Sequence, residues 1–162
     1  MADPNQEVAA KALLNFARQY RKAAEIVFEH EPVASPPLYQ LYFHTVELLL
    51  RSYLQASGKN PRKGHKISHL YKQAQQLGLA IEGDPLGLQN IVNLLERGNT
   101  GAGFRYFTRE SGSLPEISWT REVVGRLLEV VSRFLESRFG PSVPGPAVKL
   151  VITFSKPADS RL

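Results

Sequence analysis

Cysteine is absent from this chain of 162 residues, which excludes disulfides, thiol catalysis and thiolate metal sites. Such a composition suits a reducing compartment. Long apolar stretches are missing too, with no run of about 18 apolar residues to span a bilayer as a helix. The opening Met1-Ala2-Asp3-Pro4 has neither the basic nor the apolar region of a secretory leader, so the expectation is a cytoplasmic protein without membrane association. Several enzyme signatures are lacking. No Gly-Lys-Ser/Thr follows the glycines at Gly101 and Gly103, so they form no P-loop. There is no dinucleotide-binding glycine fingerprint, no nucleophile elbow and no His-Glu-x-x-His run.

A more local absence is more informative. Between Glu47 and Glu82 there is no carboxylate, yet Arg51, Lys59, Arg62, Lys63, Lys66, Lys72, His65 and His69 all fall there. Six of the 20 Lys and Arg lie in that stretch, which leaves 14 elsewhere against 15 Asp and Glu. The excess positive charge is therefore confined to about one fifth of the chain. A basic zone this local favours phosphate or another anion and says little about fold.

The remainder has ordinary globular composition, 43% apolar and 22% charged, and its length fits one domain with one core. Apolar residues recur at three- and four-residue steps in five segments. The first, about 7–29, carries Leu13, Phe16, Tyr20, Ala24 and Val27 on one face. The second, about 38–56, is the most apolar and is read as central, with Tyr42, Val46, Leu49, Leu50 and Tyr53 inward and Gly58 closing it. The third, about 65–77, shows Ile67, Leu70, Tyr71, Ala74 and Leu77, then stops at Gly78. Asp84-Pro85 caps the fourth, which carries Leu88, Ile91, Val92 and Leu95 and ends at Gly98. Residues 98–115 read as a long loop. Ser118 is the expected cap of the last helix, about 119–138, whose face is Val123, Val124, Leu127, Val131, Phe134 and Leu135. The reading is an all-α antiparallel bundle of four to five helices over residues 1–139, followed by a Pro/Gly linker and tail over 140–162. Val148 to Phe154 is rich in β-branched residues and fits one C-terminal strand.

Three constellations carry chemistry. His44, Glu47 and Arg51 follow at i, i+3 and i+7, within an arc of about 60° on the side away from the Tyr42-Val46 face. Glu47 four residues before Arg51 is the favourable order for an ion pair. The group reads either as a solvated helix edge or as Glu47 orienting Arg51 or His44 towards a ligand. His65 and His69 stand one turn apart at the start of the third helix. That spacing can hold a metal, but the surrounding cations argue against one, so neither metal nor cofactor is expected. Free N–H groups at a helix start suit an anion better. The alternative is one histidine in the core and the other in solvent. Phe104-Arg105-Tyr106-Phe107 sets an arginine among aromatics, able to stack a base and bind its phosphate, or to fold those rings onto the bundle.

Taken in order, these residues resemble a HEPN domain. The likeness rests on His44-x-x-Glu47 with Leu48, Leu50 and Leu54, on Gly64-His65-x-Ile67 opening a helix with Leu70 that ends Leu77-Gly78-Leu79, and on Phe104-Arg105-Tyr106 before the last helix. It covers about 9–139. Nuclease members of that family dimerise and cut RNA without metal through an arginine followed by a histidine. The resemblance gives those roles to Arg62 and His69, which have six residues between them, the outer limit of the spacing. Lys63 stands where a polar residue such as asparagine is usual, and Gly64 marks a loop. The sequence therefore looks nearer the non-nuclease branch, whose members are implied to bind nucleotides or partner proteins, among them minimal nucleotidyltransferases.

The first expectation is a homodimeric binding module for a nucleotide or an RNA phosphate, with His44, Glu47, Arg51, His65, Lys66, Arg105 and Tyr106 at the site. The second is a metal-independent endoribonuclease in which His69 is the acid/base and Arg62 stabilises negative charge. The third is a dimerisation or partner-binding domain working through the tail and last helix.

Overall fold

The computed structural model describes residues 4–61, 64–84, 86–99 and 114–141. They form five helices: α1 (Pro4–His30), α2 (Pro36–Ala56), α3 (Ile67–Gln76), α4 (Gly87–Asn99) and α5 (Ile117–Phe139). All regular structure among the described residues is α-helical, as the sequence predicts. The segment read as a C-terminal strand, 148–154, lies outside them.

The apolar density of α2 makes it the axis of the molecule. Of its 21 residues, 13 are buried, from Leu38 to Ala56, and they cover most of its circumference. Long buried tyrosines need partners for their hydroxyls. Tyr39 donates to the Pro115 carbonyl, Tyr42 to Glu25 and Tyr53 to the Leu77 carbonyl, so one helix is tied to three neighbouring segments. Ala10 meets Ser52 and Glu25 meets Tyr42, which makes α1 antiparallel to α2. Arg18 meets Ser132 and Arg121 meets Glu25, so α1 is antiparallel to α5 as well. It follows that α2 and α5 run the same way, with Tyr39 near Pro115 and Tyr53 stacked on Phe134 at 4.4 Å. The α3–α4 pair covers a further side of α2.

Helix α1 departs from expectation. Its buried face is Ala10, Leu14, Ala17 and Ala24, whereas Phe16 and Tyr20 are 52% and 38% exposed. Two apolar stripes are interleaved on this helix, and the stripe of small side chains wins because alanines let its backbone close on α2. Periodicity alone cannot choose between two such phases.

Local chemistry accounts for the helix ends. Asp84 Oδ1 accepts the Gly87 N–H at 2.8 Å and opens α4. The cap of α5 is Glu116, not Ser118: its carboxylate takes the N–H groups of Ser118 and Trp119 at 2.8 and 2.7 Å. A carboxylate offers two acceptor oxygens where a serine hydroxyl offers one, and Glu116 precedes the first helical residue.

Candidate anion-binding site

Glu47 is the hub of the site. Because α2 is buried almost all round, its carboxylate is only 6% exposed, and this corrects the solvated-edge reading of the His44-Glu47-Arg51 face. A carboxylate removed from water must be paired. Arg51 Nε lies 3.1 Å from Oε1, and His65 Nδ1 lies 3.0 Å from the same oxygen. His44 Nδ1 stands 3.7 Å from Oε2, an ion-pair separation when the imidazole is protonated. Burial alone would push the Glu47 carboxyl up, but His44, Arg51 and His65 together outweigh it and hold it below the usual carboxylate range.

The same arrangement fixes the loop before α3. Arg51 Nη2 donates to the Gly64 carbonyl, and Gly64 has φ +135°, a conformation side-chain-bearing residues rarely adopt. Glycine thus lets the chain turn back over Arg51 and present His65. That histidine keeps its 3.0 Å contact with Glu47 while its side chain is 78% exposed. It is anchored at one ring nitrogen and open to solvent on the rest.

Beyond His65 a cleft of about 680 Å³ runs along α3, lined by His65, Lys66, His69, Lys72, Gln73 and Gln76 on its polar side. Its volume falls within the range that holds a small molecule. No acidic residue is among its described lining residues. The structure therefore brings His44, Glu47, Arg51, His65 and Lys66 into one region, with His69 and Lys72 continuing the wall. Arg62, Arg105 and Tyr106, also expected at the site, lie outside the described residues.

Helix α3 begins later than its sequence pattern implies. It starts at Ile67, so His65 belongs to the loop and does not share a helical turn with His69. Nor is the helix start an open anion cradle. Glu96 of α4 reaches across and accepts the Ser68 N–H at 2.6 Å and the Ser68 hydroxyl at 2.9 Å. An anion here is left to side chains. Both histidines are exposed, so neither serves the core. Among the described residues no group of three or more His, Asp or Glu side chains is placed to hold a metal.

Sequence reading missed one flank of the site, because Tyr20 passed as a core residue of α1. Its ring lies 5.2 Å from that of His44, and Phe43 packs edge-on against the other side of the imidazole. Gln40 Nε2 sits 2.8 Å from His44 Nε2, so the imidazole is held between Gln40 at one ring nitrogen and Glu47 at the other. Glu96 was missed as well, since nothing in its local sequence announces a bond to a helix 28 residues earlier.

A second charged cluster lies across the bundle. Glu25 of α1 pairs with Arg21 on its own helix at 2.8 Å, with the Tyr42 hydroxyl at 2.9 Å and with Arg121 Nε of α5 at 3.1 Å. Burial would raise its carboxyl, yet Arg121, Arg21 and Tyr42 lower it to about 2. The Arg121 guanidinium also lies over the Phe28 ring at 4.0 Å. The pairing of Glu25 with α1, α2 and α5 makes the cluster a clamp between helices.

In comparison with known families, the model of the HEPN domain matches residues 10–139. No curated protein and no solved structure matches the chain. Among the described residues no helix is long and apolar enough to cross a membrane.

Proposed function

The chain belongs to the HEPN family, and from that premise we propose that it is a binding module for the phosphates of a nucleotide or nucleic acid, held in the α3 cleft. One observation carries the reading: His65, Lys66, His69 and Lys72 line a cleft with no acidic residue on its described wall. Phosphate recognition by several point charges needs no covalent chemistry, only cations fixed in space. The buried Glu47 supplies that fixing. It holds His65 from one side and Arg51 from the other, and Arg51 secures the loop through Gly64.

Binding of this kind weakens steeply with salt, because each neutralised phosphate releases a counterion. The test is fluorescence anisotropy of a labelled single-stranded RNA across a salt series. Removing Lys66 and Lys72 together (Lys66→Ala/Lys72→Ala) should weaken binding about tenfold or more and flatten the salt slope by one to two, roughly 0.7 per lost contact. Equal affinity and slope in the variant would overturn the proposal.

The second reading, a metal-independent endoribonuclease with His69 as acid/base and Arg62 stabilising negative charge, draws on one observation: His69 stands exposed on the wall of the same cleft. RNA cleavage in the presence of chelator, lost in a folded His69→Ala variant, is its signature. Cleavage that persists in that variant refutes the assignment.

A further inference from the structure

Helix α1 buries mostly small side chains, with Leu14 the one large residue among them. It buries Ala10, Ala17 and Ala24 and leaves Phe16 and Tyr20 at 52% and 38% exposure. Large rings held in water are unfavourable, and a pair of them one helical turn apart calls for a partner. Their position names its chemistry. Tyr20 lies against His44 at 5.2 Å, His44 faces Glu47 Oε2 at 3.7 Å, and Glu47 Oε1 faces His65 at 3.0 Å. Tyr20 is thus linked to His65 at the mouth of the cationic cleft by a chain of side-chain contacts that runs through the buried Glu47 carboxylate.

We propose that Phe16 and Tyr20 form a stacking platform for the bases of a single-stranded nucleic acid whose phosphates lie in the α3 cleft. The proposal rests on the reading of that cleft as a phosphate site and extends it by specifying the ligand. Rings beside cations are the combination single strands use, because every base has a π face and every linkage carries a charge. A duplex keeps its bases stacked on one another and gives these rings nothing to receive.

The experiment compares two probes on the full chain: a single-stranded oligonucleotide and inorganic tripolyphosphate, which has no base. Phe16→Ala/Tyr20→Ala should weaken the oligonucleotide about tenfold or more and weaken tripolyphosphate, which has no base to stack, several-fold less. Alanine at exposed helical positions keeps the fold, which a thermal melt verifies, and Tyr20→Phe should retain near-normal oligonucleotide affinity. Unchanged oligonucleotide affinity in the double variant overturns the platform. So does a variant whose only change is its mass in sedimentation, since the face is then a protein contact. If neither probe binds the unaltered chain, the phosphate-site reading fails first, and that outcome is distinguishable from loss of stacking alone.

Discussion

Replacing Glu25 with glutamine tests whether the clamp across α1, α2 and α5 acts as its geometry implies. The carboxylate is 24% exposed and accepts from Arg21, Tyr42 and Arg121. Its pKa falls from 4.5 to about 2 in the folded chain. Full linkage for such a shift is on the order of 3 kcal/mol, and screening at this partly open position reduces it to about 1–2 kcal/mol. The sign follows from the depressed value. The unfolded chain binds its proton first, so this stability is fully present above about pH 4.5 and is lost as the pH falls towards about 2. Glu25→Gln keeps the shape, removes the charge and leaves two guanidinium groups facing a neutral amide. Urea unfolding followed by circular dichroism should show the variant about 1–2 kcal/mol less stable near pH 7, with the gap narrowing steadily on acidification. A gap that stays constant with pH, or one below about 0.5 kcal/mol near neutrality, refutes the reasoning.

Two further substitutions probe other parts of the structure. Glu47→Gln should cost about 2–4 kcal/mol near neutral pH, because Arg51 and His65 lose the buried charge that fixes them. Since the Glu47 carboxyl is held below its ordinary range, that cost should shrink as the pH drops through the folded value, and a variant as stable as the parent in urea contradicts the hub. At Gly87 a Cβ would meet Asp84 Oδ2 at 1.9 Å, so Gly87→Ala should expel the α4 cap and cost about 1–2 kcal/mol despite alanine's better helix propensity. A rise in melting temperature for this variant would show the cap to be dispensable.

Most of the fold was legible because α3, α4 and α5 each carry one clear apolar stripe and α2 is apolar enough to be read as central. Tyr42, Val46, Leu49, Leu50 and Tyr53 are all buried as their spacing indicates, and so are Ile67, Leu70, Tyr71 and Ala74. Gly58 and Gly78 just past α2 and α3 adopt positive φ, as chain-reversing glycines do. Helix α1 was ambiguous because alanine is nearly neutral in a hydrophobic pattern yet decisive in packing. The site was half legible. Glu47 four residues before Arg51 foretold their ion pair, but not that helix packing would bury it and bring His65 from 18 residues away. The start of α3 misled for a similar reason: the basic stretch has no carboxylate of its own, and Glu96 arrives from α4 only once the chain has folded.

The alanine-lined contact between α1 and α2 sets an unusual pattern of vulnerability. Elsewhere in this core the damaging changes are truncations that open voids, as when a leucine of α2 is shortened. At Ala10, Ala17 and Ala24, all fully buried, almost nothing can be taken away, and harm comes from growth: an added carbon must displace the packed atoms around it. Because α1 also carries Tyr20 beside His44, such a displacement would tilt one wall of the site without touching a residue in it. Tolerance of bulk at these three positions is therefore a measure of how much looseness the binding face can accept.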